Sequence, residues 1–123
     1  MAQTIFERYG GFSTIRRVVS DFYDSVLDSD LLAHHFARID MRELIKHQTA
    51  FIAHLTGGPG ADYSDEVLAR VHKDLGITDE EFEEMLVLLQ DALEEHSLGD
   101  DDVAEVVGQF RSRRPVIVFG GGR

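Results

Sequence analysis

Ser13-Thr-Ile-Arg-Arg-Val-Val-Ser-Asp-Phe-Tyr-Asp-Ser-Val-Leu-Asp28 decides the fold class. Ile15, Val18, Val19, Phe22, Tyr23, Val26 and Leu27 recur in it at three- and four-residue steps. That spacing stacks side chains on one face of an α-helix. Apolar residues keep the same period along most of the chain, and only Pro59 and Pro115 interrupt it, so the expectation is an all-α protein.

Before this helix, the Gly10-Gly11 turn lets a short first helix, about Ile5 to Tyr9, cross closely, because glycine accepts positive φ and has no Cβ. After it, Asp40-Met-Arg-Glu43 has the form of a capping box and opens a helix with Leu44, Ile45, Gln48, Phe51, Ile52 and Leu55 on one face. Gly57-Gly58-Pro59-Gly60 ends that helix, and residues 57–64 read as a mobile connection. A short helix from about Asp65 to Leu75 follows, stopped by Gly76. Thr78-Asp-Glu-Glu81 is a second capping-box pattern; it starts a long helix that reaches His96, with Phe82, Met85, Leu86, Leu89 and Leu93 on one side. Asp100 to Asp102 favour the start of a last helix, which carries Val103, Val106, Val107 and Phe110 and is limited by Pro115. Val116 to Phe119 reads as a docked apolar tail and Gly120 to Arg123 as a frayed end.

A chain of 123 residues fits one domain over 1–123, with 116–123 as its tail. Twelve Lys and Arg against 23 Asp and Glu give a net charge of −11, a field that opposes nucleic-acid phosphates. The absence of cysteine excludes disulfides, thiolate metal sites and covalent haem attachment through a CxxCH motif. Metal binding is left to imidazole and carboxylate. No apolar run approaches the ~20 residues of a membrane span, and the start of the chain has no signal-peptide pattern. The expectation is a soluble cytoplasmic protein.

Six histidines are present: His34, His35, His47, His54, His72 and His96. His72 sits among Leu68, Val71 and Leu75 on a short helix, where a neutral imidazole can reach an apolar cleft and bind a metal; a surface histidine fits the same spacing. His47 and His54 lie about two turns apart on one helix, too far to share one ion. Gln48 interrupts an apolar stripe, and Tyr23 follows Phe22 on another. Each polar group, if buried, requires a partner, which protein or water can supply. Phe36, after His34-His35, reads as an aromatic core plug. The acidic runs read as solvated helix faces and caps.

Together these residues resemble the truncated haemoglobins, specifically group I, with its cyanobacterial and mycobacterial members. The resemblance runs from Ile5-Phe-Glu-Arg-Tyr-Gly-Gly11 through Phe22-Tyr23, Phe36 before Ile39-Asp-Met41, Gln48-Thr-Ala-Phe51 and Gly57-Gly58-Pro59, to Tyr63 and Val71-His72. It implies a truncated globin-like two-on-two helical sandwich holding one non-covalent haem b per chain. His72 matches the proximal iron ligand and Phe36 the phenylalanine that packs on the porphyrin, while Tyr63, Leu68, Val71 and Phe51 belong to the implied haem surroundings. Tyr23 and Gln48 match the distal hydrogen-bonding pair, and Leu44 takes the place where many globins have a distal histidine. His47 matches a position that in some members closes the sixth iron site and in others meets a haem propionate. Ligation by His47 is the expectation, because neutral imidazole is a good iron ligand and a weak propionate partner. The family's covalent haem-vinyl histidine has no counterpart in Arg111 to Phe119.

The function implied is reversible binding of dioxygen, nitric oxide and carbon monoxide by a monomer. Nitric oxide dioxygenase activity would draw electrons from an external reductase. The alternatives are a bis-histidyl haem protein for electron transfer or redox sensing, and a haem-free helical interaction module.

Overall fold

The structure is a computed structural model, and it describes residues 3–118. Seven α-helices and one 3₁₀ turn account for its regular structure, and no strand occurs among the described residues. α1 spans Ile5–Arg8 and is started by a capping box that sequence reading missed: the Thr4 side chain accepts from the Glu7 N–H, while the Glu7 carboxylate accepts from the Thr4 N–H. The Gly10-Gly11 turn follows, with φ of 102° and 71°. α2, Phe12–Asp28, buries Ile15, Val18, Val19, Phe22, Tyr23 and Val26, so the expected apolar face is the buried one, except that Leu27 is exposed.

A 3₁₀ turn over Ala33–Phe36 leads to α3, Met41–Leu55, whose cap Asp40 accepts from the N–H groups of Arg42 and Glu43. The glycine-rich stretch after α3 packs back on the helix rather than standing off it. The Ala61 N–H donates to the Ala50 carbonyl, and a Cβ on Gly60 would lie 2.1 Å from that same oxygen. Glycine at 60 therefore serves close approach of two backbones.

α4 spans Asp65–His72 with Ser64 as its cap, shorter than the expected run to Leu75 because the chain turns after His72 and reaches Gly76 at a φ of 63°. α5, Asp79–Glu95, begins with the complete Thr78–Glu81 capping box. α6, Asp100–Arg111, ends before the expected Arg114. The reason is visible in α7, Arg114–Ile117: Pro115 sits in its first turn, where the missing N–H costs nothing, so the proline starts a helix instead of only limiting one. The expected tail is thus docked as a helical turn, with Ile117 buried, while 119–123 lie outside the described residues.

α2 packs on α3 and α5, α5 on α6, and α3 touches α6, which gives two helix pairs laid against each other. α4 lies against α7. The buried core runs through all four long helices, with Phe82, Ile15, Leu86, Leu89 and Leu93 fully enclosed. At the far end, the Tyr9 hydroxyl donates to Asp102 at 2.6 Å and accepts from the Gly99 N–H at 3.0 Å, tying α1 to the start of α6. The Arg114 guanidinium pairs with Asp79, holding α7 to the start of α5.

Candidate functional site

Between these helices lies a cavity of about 350 Å³. It gathers Tyr23 from α2, Leu44, Gln48 and Phe51 from α3, and Leu68, Val71 and His72 from α4, together with Phe36 at the end of the 3₁₀ turn. Eight of the ten residues singled out from the sequence therefore meet in one space. The other two, His47 and Tyr63, are not among the lining residues. His47 is exposed, with its Nδ1 3.4 Å from the Tyr63 hydroxyl, and the Tyr63 ring packs on Phe51 with centroids 5.3 Å apart. The structure thus places the His47 side chain beside Tyr63 and not among the cavity's lining residues.

His72 is the residue best prepared to bind a metal. Its Nδ1 lies 2.7 Å from the Leu68 carbonyl oxygen, one turn back on α4. A carbonyl only accepts, so Nδ1 carries the proton and Nε2 keeps its lone pair, on a side chain that lines the cavity. Without the carbonyl, the imidazole would divide between two tautomers and two orientations.

Tyr23 also lines the cavity, 8% exposed, with its ring against Phe22 and Phe36 at 4.8 and 5.9 Å. Burial pushes its phenol far above the ordinary value, so it stays a neutral O–H donor through the working pH range. Gln48 adds an amide with both donor and acceptor atoms.

The cavity also has an apolar surface without cover. Ile39, Val71 and Leu75 line it and are 47%, 57% and 42% exposed, which is the arrangement expected where a flat apolar cofactor completes the packing. The lining fits a haem on this structure's own terms: a tautomer-fixed imidazole, aromatic walls and uncovered apolar side chains.

A family profile for bacterial-like globins matches residues 4–116. The chain belongs to the bacterial-like globin family. Globin membership implies a haem cofactor and a gaseous ligand. This globin is 33% identical over 107 residues to a group 1 truncated haemoglobin of Synechocystis sp., covering 84% of this chain and 86% of that protein. It is 32% identical over 117 residues to a group 1 truncated haemoglobin of Mycolicibacterium paratuberculosis, covering 95% and 85%. Among solved structures, the truncated haemoglobin of Tetrahymena pyriformis in its Fe(III) form superposes with a TM-score of 0.85 at 28% identity, covering 94% of this chain and 98% of that one. The truncated two-on-two globin fold expected from the sequence is therefore the observed fold.

Three polar lining residues were not assigned to the site from the sequence: His35, Glu81 and Arg113. Arg113 stacks over the Phe51 ring at 5.2 Å and donates to the Gln109 carbonyl at 2.7 Å. Glu81 is only 7% exposed. Burial alone would push its carboxyl up, but the Thr78 N–H and the His34 and His35 imidazoles, all bonded to it, together hold it below the usual range. The capping pattern announced the Thr78 bond; nothing local announced the histidines, 46 and 47 residues away. No helix among the described residues is long and apolar enough to cross a membrane.

Proposed function

We propose that this globin binds one haem b non-covalently through His72 and uses it to bind dioxygen and other diatomic gases reversibly. The observation that carries the reading is the Nδ1 bond of His72 to the Leu68 carbonyl, which leaves Nε2 as the ligating nitrogen beside a cavity that also holds Tyr23 and Gln48. Bound haem iron supplies reversible coordination of diatomic gases and, given an external reductase, the conversion of nitric oxide to nitrate. Tyr23 and Gln48 supply donors to a ligand that gathers negative charge, which slows its release. Phe36 and Phe51 wall the porphyrin, and the Arg113 guanidinium is available to a propionate carboxylate. Non-covalent attachment is supported by the lack of a histidine in Arg111 to Phe119. The solved haemoglobin of Synechococcus sp. has covalently attached haem.

The placement of His47 favours an open sixth position. For the bis-histidyl alternative, with electron transfer or redox sensing, His47 must leave Tyr63 and turn inward. Optical spectra of the haem-loaded protein, ferric and ferrous, test both parts. A sharp Soret band lost in His72→Ala supports the haem reading, and a protein that retains no haem overturns it. A ferrous low-spin spectrum that becomes high-spin in His47→Ala would establish the bis-histidyl form instead. Mixing the oxygenated protein with nitric oxide tests the enzymatic part, which requires rapid formation of ferric haem and nitrate.

A further inference from the structure

The same cavity includes a second cluster, of which His35 and Glu81 are lining residues. His34 and His35 come from the 3₁₀ turn, and Glu81 from the first turn of α5. Both imidazoles direct Nε2 at a single atom, the Glu81 Oε2, at 3.1 and 3.0 Å. The two rings lie 4.0 Å apart by centroid, tilted by 38°. We propose that His34, His35 and Glu81 form a binding site for a divalent cation of the zinc class, distinct from the haem iron.

Four features argue for it. The donor set is two imidazoles and one carboxylate, the combination that suits zinc and its first-row neighbours and leaves positions open for water. The three donor atoms all lie within 4.8 Å of one another. A tetrahedral zinc with nitrogen and oxygen at about 2.0–2.2 Å separates its ligands by roughly 3.3–3.5 Å. The two contacts to Oε2 are already close to that, so small rotations of exposed or half-buried imidazoles complete the set.

The carboxylate is also held in place before any ion arrives. Its other oxygen, Oε1, accepts the Thr78 N–H at 2.9 Å, and the Thr78 hydroxyl in turn accepts the Glu81 N–H. Glu81 thus presents one fixed oxygen to the histidines, with a buried side chain that cannot swing into solvent. Protonation balances in the same sense. To bond Oε2, each imidazole carries a proton on Nε2; a neutral ring frees that nitrogen for an ion by taking its proton on Nδ1 instead, so coordination needs no further proton acceptor.

Access is the fourth feature. His34 has 61% of its side chain exposed, while His35 and Glu81 have 10% and 9%, so the ion enters past one mobile imidazole and ends against two fixed groups. Occupation would bridge the 3₁₀ turn that carries Phe36 to the start of α5, on the edge of the haem cavity. His96 with Asp21 and His54 with Asp62 are two-residue pairs, with no third donor within the same reach among the described residues.

Titration calorimetry with zinc chloride on the haem-loaded protein, in a buffer that does not chelate, tests the proposal. The expected result is one zinc per chain. Affinity should fall about tenfold or more in His34→Ala and in Glu81→Gln, and stay unchanged in His96→Ala. Glu81→Gln keeps the capping oxygen, and His34 is on the surface, so neither change threatens the fold. Stoichiometric binding that survives His34→Ala, or no binding tighter than millimolar, overturns the proposal. The zinc isotherm is read apart from the Soret band, so its failure is distinguishable from a failure to hold haem.

Discussion

The Nδ1 of His72 sits 2.7 Å from the carbonyl oxygen of Leu68, four residues earlier on α4. The imidazole bonds back onto a carbonyl of its own helix one turn earlier, using a second lone pair of an oxygen that lies within the helical ladder, so the ring's tautomer and orientation are fixed locally by α4.

Removal of the imidazole with its cavity left intact should be reversible by added ligand. His72→Gly is expected to lose the Soret band of the ligated haem, and free imidazole at millimolar concentration to restore it. If imidazole fails to restore the band while the variant still folds by circular dichroism, His72 is not the ligand.

Tyr23 and Gln48 should act on ligand release rather than on haem retention. A hydrogen bond to a group carrying charge contributes about 1.5–3 kcal/mol, or about 10- to 100-fold in rate. Tyr23→Phe is therefore expected to speed dioxygen dissociation by that factor, and Gln48→Leu to do so to a smaller extent, both read by stopped-flow displacement with carbon monoxide. An unchanged dissociation rate in both variants would remove them from the ligand site.

Tyr23 also gives a signature in alkali. Burial raises its phenol above the unfolded value of about 10, so the folded state keeps a proton that the unfolded state gives up. Its contribution to stability is fully present below pH ~10 and is lost as pH climbs from there toward the folded value. In a spectrophotometric titration of the three tyrosines, one phenolate band should appear only as the protein unfolds, and Tyr23→Phe should delete that late component.

Gly60 should be intolerant of a single methyl group. In Gly60→Ala the new Cβ would meet the Ala50 carbonyl oxygen and the His54 nitrogen, both backbone atoms of α3 that no side-chain rotation can relieve. A loss of about 2–3 kcal/mol is expected in denaturant unfolding. Gly76→Ala, with open space around its Cβ, should cost less and only through its positive φ.

Several parts of this globin were legible before any coordinates. The faces of α2, α3 and α5 followed from apolar spacing, and their starts from Asp40 and Thr78, because a helix and its cap are settled by residues within a turn of each other. Eight of the ten candidate site residues line one cavity, Tyr23 and Phe51 among them from buried helix faces. The errors lay where one turn of helix competes with packing. α4 stopped at His72, α6 at Arg111, and Pro115 opened α7, since a proline's fixed φ suits a first turn as well as it ends a helix. The glycine-rich stretch read as mobile because its composition is weakly apolar; the structure shows that at Gly60 the missing side chain makes room for α3.

The sequence alone was enough for the long helices and their buried faces, because these rest on interactions spanning a few residues. Which side chains share a space across distant segments depends on how the helices pack. His47 is placed against Tyr63 and outside the cavity, and Glu81 is joined to His34 and His35. Periodicity gives the angle of a side chain around its own helix, but the approach of one helix to another is set by the collective packing of the core. The partners of a polar group on the rim follow from that approach.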